Sequence, residues 1–211
     1  MNKIITVIGF LFSFTSCFCQ DQFITLKNSI DFNNKLQSNT LQVSSIESSF
    51  TQEKKLSMMT KKLISKGHFY FKKENNIRWE YLTPYKYLIV IKNDKLTIKD
   101  NAQTKQYDSQ SNGLFKELNA FISGCIQGTI LKNTKDFSIS YLENSSLYYV
   151  KMIPKNEKMK KMLNEIQIYF DKKDLTVSKL KMLELDGDYT LIDFYDKKTN
   201  TPINDEIFIV K

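Results

Sequence analysis

The sequence predicts a mainly β protein with helices (α+β), built on a strongly curved antiparallel sheet. Segments of alternating apolar and polar residues follow one another along most of the 211 residues, and turn signals separate them. These segments do not alternate with helical ones, which excludes the βαβ pattern of a dinucleotide-binding sheet. Two longer helical segments, one near the N-terminus and one midway, are expected to cover the sheet as a helix and a lid.

Residues 1–19 are predicted to be a signal peptide. The chain starts with a basic residue at Lys3, and an apolar run over residues 4–14 and small residues at 15–17 follow. The run is too short to span a bilayer, which takes about 20 residues. We expect cleavage after Cys19. The alternative is lipoprotein processing at Cys17, because Phe14-Thr15-Ser16-Cys17 loosely resembles a lipobox.

The remaining residues, 20–211, are expected to form one domain, since about 150 residues is the usual domain scale. Loss of the signal peptide leaves Cys125 as the only cysteine, so no intramolecular disulfide is expected. The formal charge falls from +8 to +7 with the removal of Lys3.

The first predicted element of this domain is a helix over residues 23–41, with Phe32, Leu36 and Val43 on one face. Alternation then predicts a meander. Phe69 and Phe71 share one face of a strand, and Asn75-Asn76 is a turn signal after it. Strands are predicted at residues 48–56, 66–73, 77–81, 87–91 and 95–99.

The strand pattern breaks between residues 111 and 131, where apolar side chains take helical spacing between glycines. We predict a lid there, formed by Leu114, Leu118, Phe121 and Ile122. A short helix is expected at residues 157–162, and Asp186-Gly187-Asp188 is a hairpin signal. Further strands are predicted at residues 137–142, 147–153, 166–171, 177–185, 189–195 and 207–210.

The motifs of common catalytic sites are absent from the sequence. It has no glycine-rich phosphate loop, no CxxC, no HExxH and no GxSxG, and it holds a single histidine, His68. The spacing of the strand-end carboxylates does not indicate a catalytic pair; these are Glu80, Glu143, Asp171 and Asp174. We therefore predict a protein that is not an enzyme and has no catalytic residue, metal or cofactor.

The positive charge does not indicate a nucleic-acid partner. Lysine pairs such as Lys61-Lys62 and Lys172-Lys173 fall at strand ends and turns along the whole chain. A nucleic-acid site would concentrate them on one face with aromatic residues between them. Scattered lysines instead keep hairpin ends solvated and discourage edge-to-edge aggregation.

An aromatic stripe runs over three consecutive predicted strands. Such a stripe is first of all the core face of a sheet. Because helical cover is scarce, we also expect it to line a cavity for an apolar ligand such as an acyl chain. Its members are Phe50, Phe69, Phe71, Ile77, Trp79 and Tyr81.

An ordered series of motifs resembles the periplasmic outer-membrane lipoprotein carriers, the LolA-like family, across most of the processed chain. Each motif is weak alone, and their order behind a signal peptide makes the resemblance specific. The series is Ser49-Phe50-Thr51-Gln52, then Gly67-x-Phe69-x-Phe71-Lys72-Lys73, then Arg78-Trp79-x-Tyr81, Pro84 and Leu88-Ile89-Val90.

The resemblance implies an unclosed β-barrel covered by helices, whose apolar cavity receives lipoprotein acyl chains. It implies a periplasmic monomer that takes lipoproteins from an inner-membrane ABC transporter and delivers them to an outer-membrane acceptor. Lys73 matches the position where an Arg holds the lid closed in the family, so Lys73 is the candidate lid latch. A lysine lacks the planar, multi-donor fork of arginine, and the same latch is not expected to transfer unchanged.

Two other functions are compatible with the sequence. One is a lipid-binding sensor or regulatory module of the same fold, which a further C-terminal domain would favour. The other is a periplasmic hydrolase, which would need paired carboxylates in a polar pocket.

Overall fold

The computed structural model describes residues 22–93, 95–108, 124 and 128–210. Twelve strands of the described residues form one antiparallel sheet in the order β1-β8-β9-β10-β11-β12-β2-β3-β4-β5-β6-β7. The strands are β1 (Ile24–Thr25), β2 (Ser45–Lys55), β3 (Leu63–Lys72), β4 (Asn76–Thr83), β5 (Tyr87–Lys92), β6 (Lys95–Lys99), β7 (Thr104–Asp108), β8 (Phe137–Glu143), β9 (Leu147–Pro154), β10 (Leu163–Asp171), β11 (Val177–Glu184) and β12 (Tyr189–Thr199).

The sheet consists of two meanders joined through their inner strands. Strands β2–β7 and β8–β12 each follow chain order, and β12 pairs with β2, with Asp193 opposite Thr51. The outer strands β1 and β7 do not pair with each other, so the sheet stays open. Its curvature brings side chains from both meanders into one buried cluster. The predicted curved, unclosed antiparallel sheet is confirmed.

Alternation along the strands decides which face is buried. On β3, Phe69 and Phe71 are buried, while the alternating residues His68 and Tyr70 lie partly exposed on the outer face. Strand β10 repeats the pattern: its buried residues are Ile166, Ile168 and Phe170. The apolar concave face of the sheet is therefore continuous across its centre.

Helix α1 (Ser29–Gln42) lies across one end of the sheet. The Asn28 side chain accepts a hydrogen bond from the backbone N of Asp31 and caps the helix, and Phe32 and Leu36 are buried beneath it. The predicted start at residue 23 is wrong. Residues Ile24–Thr25 instead form β1, which pairs with β8, because the Asn28 cap sets the first helical turn after it.

Three further elements complete the described chain. Helix α2 (Glu157–Lys160) confirms the short helix predicted there, and 3-10 turns occupy Thr129–Lys132 and Leu185–Gly187. The strand predicted at 207–210 is wrong, because Asp205–Phe208 forms a 3-10 turn capped by the Asn204 side chain. Strand β7 was not predicted, since Tyr107 is its only apolar residue.

Several predictions fall outside the described residues: the signal peptide 1–19 with Cys17 and Cys19, the lid residues Leu114, Leu118, Phe121 and Ile122, and Cys125. In the part of the chain that the structure describes, every helix is too short or too polar to span a bilayer.

Candidate functional site

A cavity of about 210 Å³ lies on the concave face, between the C-terminal end of α1 and the sheet. Its walls come from both meanders and are mostly apolar. Helix α1 and the segment after it contribute Asn39, Thr40 and Val43; strands β2–β5 contribute Ile46, Ser48, Gln52, Phe69, Trp79, Tyr81 and Ile89; the second meander contributes Leu175, Thr176, Val177, Leu180, Met182, Thr190, Ile192, Phe194 and Lys197.

One wall of this cavity is a packed aromatic group. The Phe50 ring is fully buried and meets Trp79 and Tyr81 edge-on, with ring centroids 5.3 and 5.1 Å apart. Trp79 also meets Phe69 at 5.2 Å and Phe194 at 5.9 Å. Edge-to-face pairs of this kind contribute about 0.5–1.5 kcal/mol each beyond area burial. The wall is therefore fixed from several sides.

Gln52 and Tyr81 form the polar contact of this wall. The Tyr81 hydroxyl donates to Oε1 of Gln52 at 2.9 Å. Burial raises the pKa of Tyr81 to about 12, so the hydroxyl stays neutral and keeps its proton for this bond. The bond gives a structural role to the Gln of the Ser49-Phe50-Thr51-Gln52 motif.

Two other polar groups of the cavity wall are buried without a partner. Neither Nε1 of Trp79 nor Oγ of Ser48 has a hydrogen-bond partner among the described residues. Leaving a buried donor unsatisfied costs about 1–3 kcal/mol. These two polar groups are therefore buried at a cost in an otherwise apolar wall.

The end of the cavity next to α1 is polar. Nζ of Lys197 donates to Oγ1 of Thr176 at 2.6 Å and lies 3.5 Å from Oδ1 of Asp174. Burial alone would raise the pKa of Asp174, but hydrogen bonds from Thr176 and the charge of Lys197 outweigh it and hold that pKa below its ordinary value. Nδ2 of Asn39 donates to the backbone O of Asp174 at 2.8 Å, which ties the helix to this end of the sheet.

The predicted cavity residues separate into two groups. Phe69, Trp79 and Tyr81 line the cavity. Phe50 lies behind this wall, and Ile77 is fully buried in the core. Phe71 lines a neighbouring cavity of about 250 Å³ instead, between α1 and the 3-10 turn at Thr129–Lys132. The other residues that line it are Asn33, Gln37, Thr40, Leu41, Val43, Lys73, Gly128, Thr129, Leu131 and Lys132.

Lys73, the candidate lid latch, contacts helix α1. Its Nζ donates to the backbone O of Leu41 at 2.7 Å, and its backbone N donates to the O of Ser44 at 2.8 Å. An ammonium group at the C-terminal end of a helix also complements the helix dipole. The contact of Lys73 in the described residues is therefore with the N-terminal helix, and its predicted partner segment, residues 114–122, lies outside them.

Sequence reasoning missed the half of the cavity that the second meander supplies. Leu180 and Met182 of β11 and Ile192 and Phe194 of β12 belong to it. Their alternation was visible in the sequence. What it did not show was the pairing of β12 with β2, which places these side chains opposite the aromatic wall.

Two of the candidate carboxylates, Glu80 and Glu143, form ion pairs with basic side chains. Glu80 pairs with Arg78 on the outer face, with 3.0 Å between Oε1 and Nη2, and Glu143 pairs with Lys172 at 2.6 Å. His68 also lies on the outer face, with its Nδ1 3.5 Å from Oγ of Ser49. Across the described residues, no group of three or more His, Cys, Asp or Glu side chains could hold a metal ion. A larger and more polar space of about 620 Å³ lies beside Arg78, Glu80 and Glu206, so the concave cavity is distinguished by its apolar walls and not by its size.

Comparisons with known proteins agree with this architecture. The family model described as outer membrane lipoprotein carrier protein LolA matches residues 41–211. No curated protein matches the chain significantly. The chain resembles a solved chain of the MucA/MucB complex of Pseudomonas aeruginosa, with a TM-score of 0.54 and 12% identity; the match covers 86% of this chain and 60% of that one.

A second solved structure has a similar fold over most of its length. An uncharacterized conserved protein from Thermus thermophilus matches with a TM-score of 0.51 and 11% identity, over 86% of this chain and 93% of that one. At such identities the two solved structures show a shared fold alone.

Proposed function

Because the chain belongs to the family of the outer membrane lipoprotein carrier protein LolA, we propose that its concave cavity binds the acyl chains of lipoproteins. In this proposal the protein is exported to the periplasm and acts as a monomer. It accepts lipoproteins from an inner-membrane ABC transporter and delivers them to an outer-membrane acceptor. The observation that supports binding is the largely apolar cavity that α1 covers at one end.

Burial of hydrocarbon supplies the driving force. Each CH₂ removed from water contributes about 0.8 kcal/mol, so an acyl chain needs only an apolar, water-free wall to bind. The aromatic wall of Phe69, Trp79 and Tyr81 and the largely aliphatic wall of β11 and β12 meet this need. No catalysis is involved: the ligand enters and leaves unchanged.

The cavity is small for this ligand and has to widen. At about 210 Å³ it is below the range of roughly 300–1,000 Å³ usual for ligand pockets. The neighbouring cavity of about 250 Å³ shares Thr40 and Val43 with it, so the last turn of α1 is the partition between them. Movement of this turn away from the sheet would join the two spaces.

Lys73 controls this partition in the proposal. Its bond to the O of Leu41 holds the last turn of α1 against the sheet and the two spaces apart. Incoming acyl chains replace the contacts of that turn, and the turn returns when the ligand is passed on. Competition of this kind lowers the net affinity and permits release.

Titration of the purified protein with a fluorescent fatty-acyl probe and a synthetic triacylated lipopeptide tests the binding step. Trp79 is the only tryptophan and lies in the cavity wall, so its emission should shift as the ligand binds. Ile89→Phe fills part of the cavity and should weaken binding. Ile153→Phe is the matched control, because Ile153 is 42% exposed, and it should bind like the parent protein. Absence of saturable binding would refute the proposal.

Depletion of the protein in cells tests the transport step. Lipoproteins should then accumulate in the inner membrane. If acyl ligands bind but lipoprotein localisation stays normal, transport is the wrong conclusion, and a lipid-regulated binding role takes its place.

A further inference from the structure

Three loops at the same end of the strands each expose a large apolar side chain. The loops are residues 56–62 between β2 and β3, 84–86 between β4 and β5, and 155–162 between β9 and β10; we call them the tip rim. Met58, Tyr85 and Met162 are 89%, 77% and 66% exposed. Single exposed apolar residues are ordinary on a protein surface, but here they recur on three hairpin tips.

The register of the strands places the three loops at the same end of the sheet, where strands β2, β4 and β9 finish. Leu163 at the start of β10 lies opposite Glu184 at the end of β11, and Tyr189 at the start of β12 lies opposite Lys55 at the end of β2. Lys66 near the start of β3 in turn lies opposite Thr83 at the end of β4. The loops that leave β2, β4 and β9 therefore project in the same direction.

The turns at the other end of the strands have a different amino-acid composition. The turns at residues 73–75 and 144–146 contain only charged and polar residues, and Leu175, the one apolar residue of the turn at 172–176, is partly buried against the core. Around the tip rim, by contrast, further apolar side chains are exposed on the strand ends and the next turn: Leu63, Ile64, Leu82 and Leu185. Apolar side chains are also exposed at the other end of the strands, at Ile30 and Leu41 of α1, but the described turns between strands there expose none.

The tip rim is also strongly basic. Its three loops contain seven lysines and one acidic residue, Glu157. Lys61, Lys86 and Lys161 are exposed and make no ion pair among the described residues, while Lys62 pairs with Glu53 and Lys160 with Glu157. The adjoining turn adds Asp186 and Asp188, of which Asp188 accepts a hydrogen bond from the backbone N of Ser57. The loops keep a clear positive excess.

We propose that the tip rim docks on the surface of a bilayer that contains anionic phospholipids. Met58, Tyr85 and Met162 enter the interface, where flexible thioethers and an amphipathic phenol are well accommodated, and the lysines contact the headgroups. Separate apolar tips among lysines suit a lipid surface better than a protein partner, which would need one contiguous apolar patch.

Docking in this orientation places the cavity next to the membrane. Cavity residues Gln52, Tyr81, Met182 and Thr190 lie within a few residues of the rim edge of their strands, whereas α1 covers the other end. The docking surface goes beyond acyl binding, because vesicle binding does not require the cavity. The two can therefore fail separately.

Vesicle flotation with the purified protein tests the docking surface. Binding should be much tighter to phosphatidylcholine vesicles with about one-third phosphatidylglycerol than to pure phosphatidylcholine, and should fall with salt. Lys61→Glu with Lys86→Glu should weaken it by about twenty-five-fold or more, because each lysine near an anionic surface contributes about a factor of five. Lys95→Glu with Lys173→Glu, two exposed positions at the opposite ends of the strands, is the charge-matched control and should change binding by less than about fivefold.

The apolar tips are tested separately. Met58→Asp with Met162→Asp should abolish flotation, while Ile30→Asp should not, since Ile30 is 73% exposed on α1 at the other end. Binding of the soluble acyl probe should stay unchanged in all these variants, which shows that they are folded. Equal binding to neutral and anionic vesicles, no binding to either, or equal losses in the control variants would overturn the proposal.

Discussion

Gly67→Ala should destabilise the protein severely, because an added methyl group has no room. Gly67 lies in β3 between Phe50 of β2 and Tyr81 of β4, next to an irregularity in the β3–β4 register. A Cβ atom there would lie 1.8 Å from the backbone O of Glu80, 2.8 Å from its carbonyl C and 2.9 Å from Cε1 of Phe50. Two of these atoms are backbone, so no side-chain rotation relieves the contact.

The size of the effect follows from what must move. Strands β3 and β4 have to separate locally, and Phe50 has to leave the position from which it supports Trp79 and Tyr81. Overpacking in a core costs about 1–3 kcal/mol and occasionally more, and a clash with backbone belongs at the upper end. A loss of about 3 kcal/mol corresponds to a fall of roughly 6–12 °C in Tm for a domain of this size.

Thermal unfolding followed by circular dichroism measures this loss. The emission of Trp79 in the folded state reports whether the aromatic wall has shifted. Gly187→Ala is the control: Gly187 has a φ of 80°, which an alanine tolerates poorly, but a Cβ there meets nothing within 4 Å. Its loss should be about 1–2 kcal/mol. If Gly67→Ala melts no lower than Gly187→Ala, the argument from close approach is wrong.

Three further predictions follow from the site. Phe50→Ala should cost about 3–5 kcal/mol in chemical denaturation, whereas Tyr85→Ala, at a 77% exposed position, should cost less than about 0.5 kcal/mol; equal losses would contradict the packing. Lys73→Met removes the hydrogen bond to the backbone O of Leu41 and should speed amide hydrogen exchange in the last turn of α1, and Lys73→Arg should restore the protection. Unchanged exchange in Lys73→Met would show that this bond does not hold the turn. Because the pKa of Tyr81 is raised, the unfolded chain loses this proton at a lower pH than the folded protein does. The contribution of Tyr81 to the free energy of unfolding is therefore full below about pH 10 and falls towards pH 12. Tyr81→Phe should make the fall of stability with pH shallower, and an unaltered slope would count against a buried neutral hydroxyl.

The local alternation of apolar and polar residues was sufficient to predict most of the fold. The alternation of Phe69 and Phe71 with their polar neighbours predicted β3 and its buried face, because one face of that strand meets only apolar side chains. Strand β7 lacks this alternation, because it is an edge strand and mostly polar. The error at residues 207–210 has a different cause: they form an apolar run that predicts a strand, although the Asn204 cap turns the chain there.

The candidate site could be predicted only in part, for a related reason. Phe69, Trp79 and Tyr81 lie on neighbouring strands of one meander, so their shared face was evident from sequence. Leu180 and Ile192 reach the same cavity only through a pairing between strands far apart in the chain, which no local pattern encodes. Ile77 and Phe71 share the face of Trp79, but they lie nearer the α1 end of their strands and are covered.

The pairing of β12 with β2 also sets the order of events in folding. Asp193 meets Thr51, so the central seam of the sheet cannot form until almost the whole chain is present. Such distant contacts must overcome the entropy of loop closure before they return any stability, and they make folding slow. Before β12 is available, one side of the inner strand β2 has no partner strand. The sheet is therefore incomplete until nearly the end of synthesis, and its apolar concave face lacks one of its central strands up to that point.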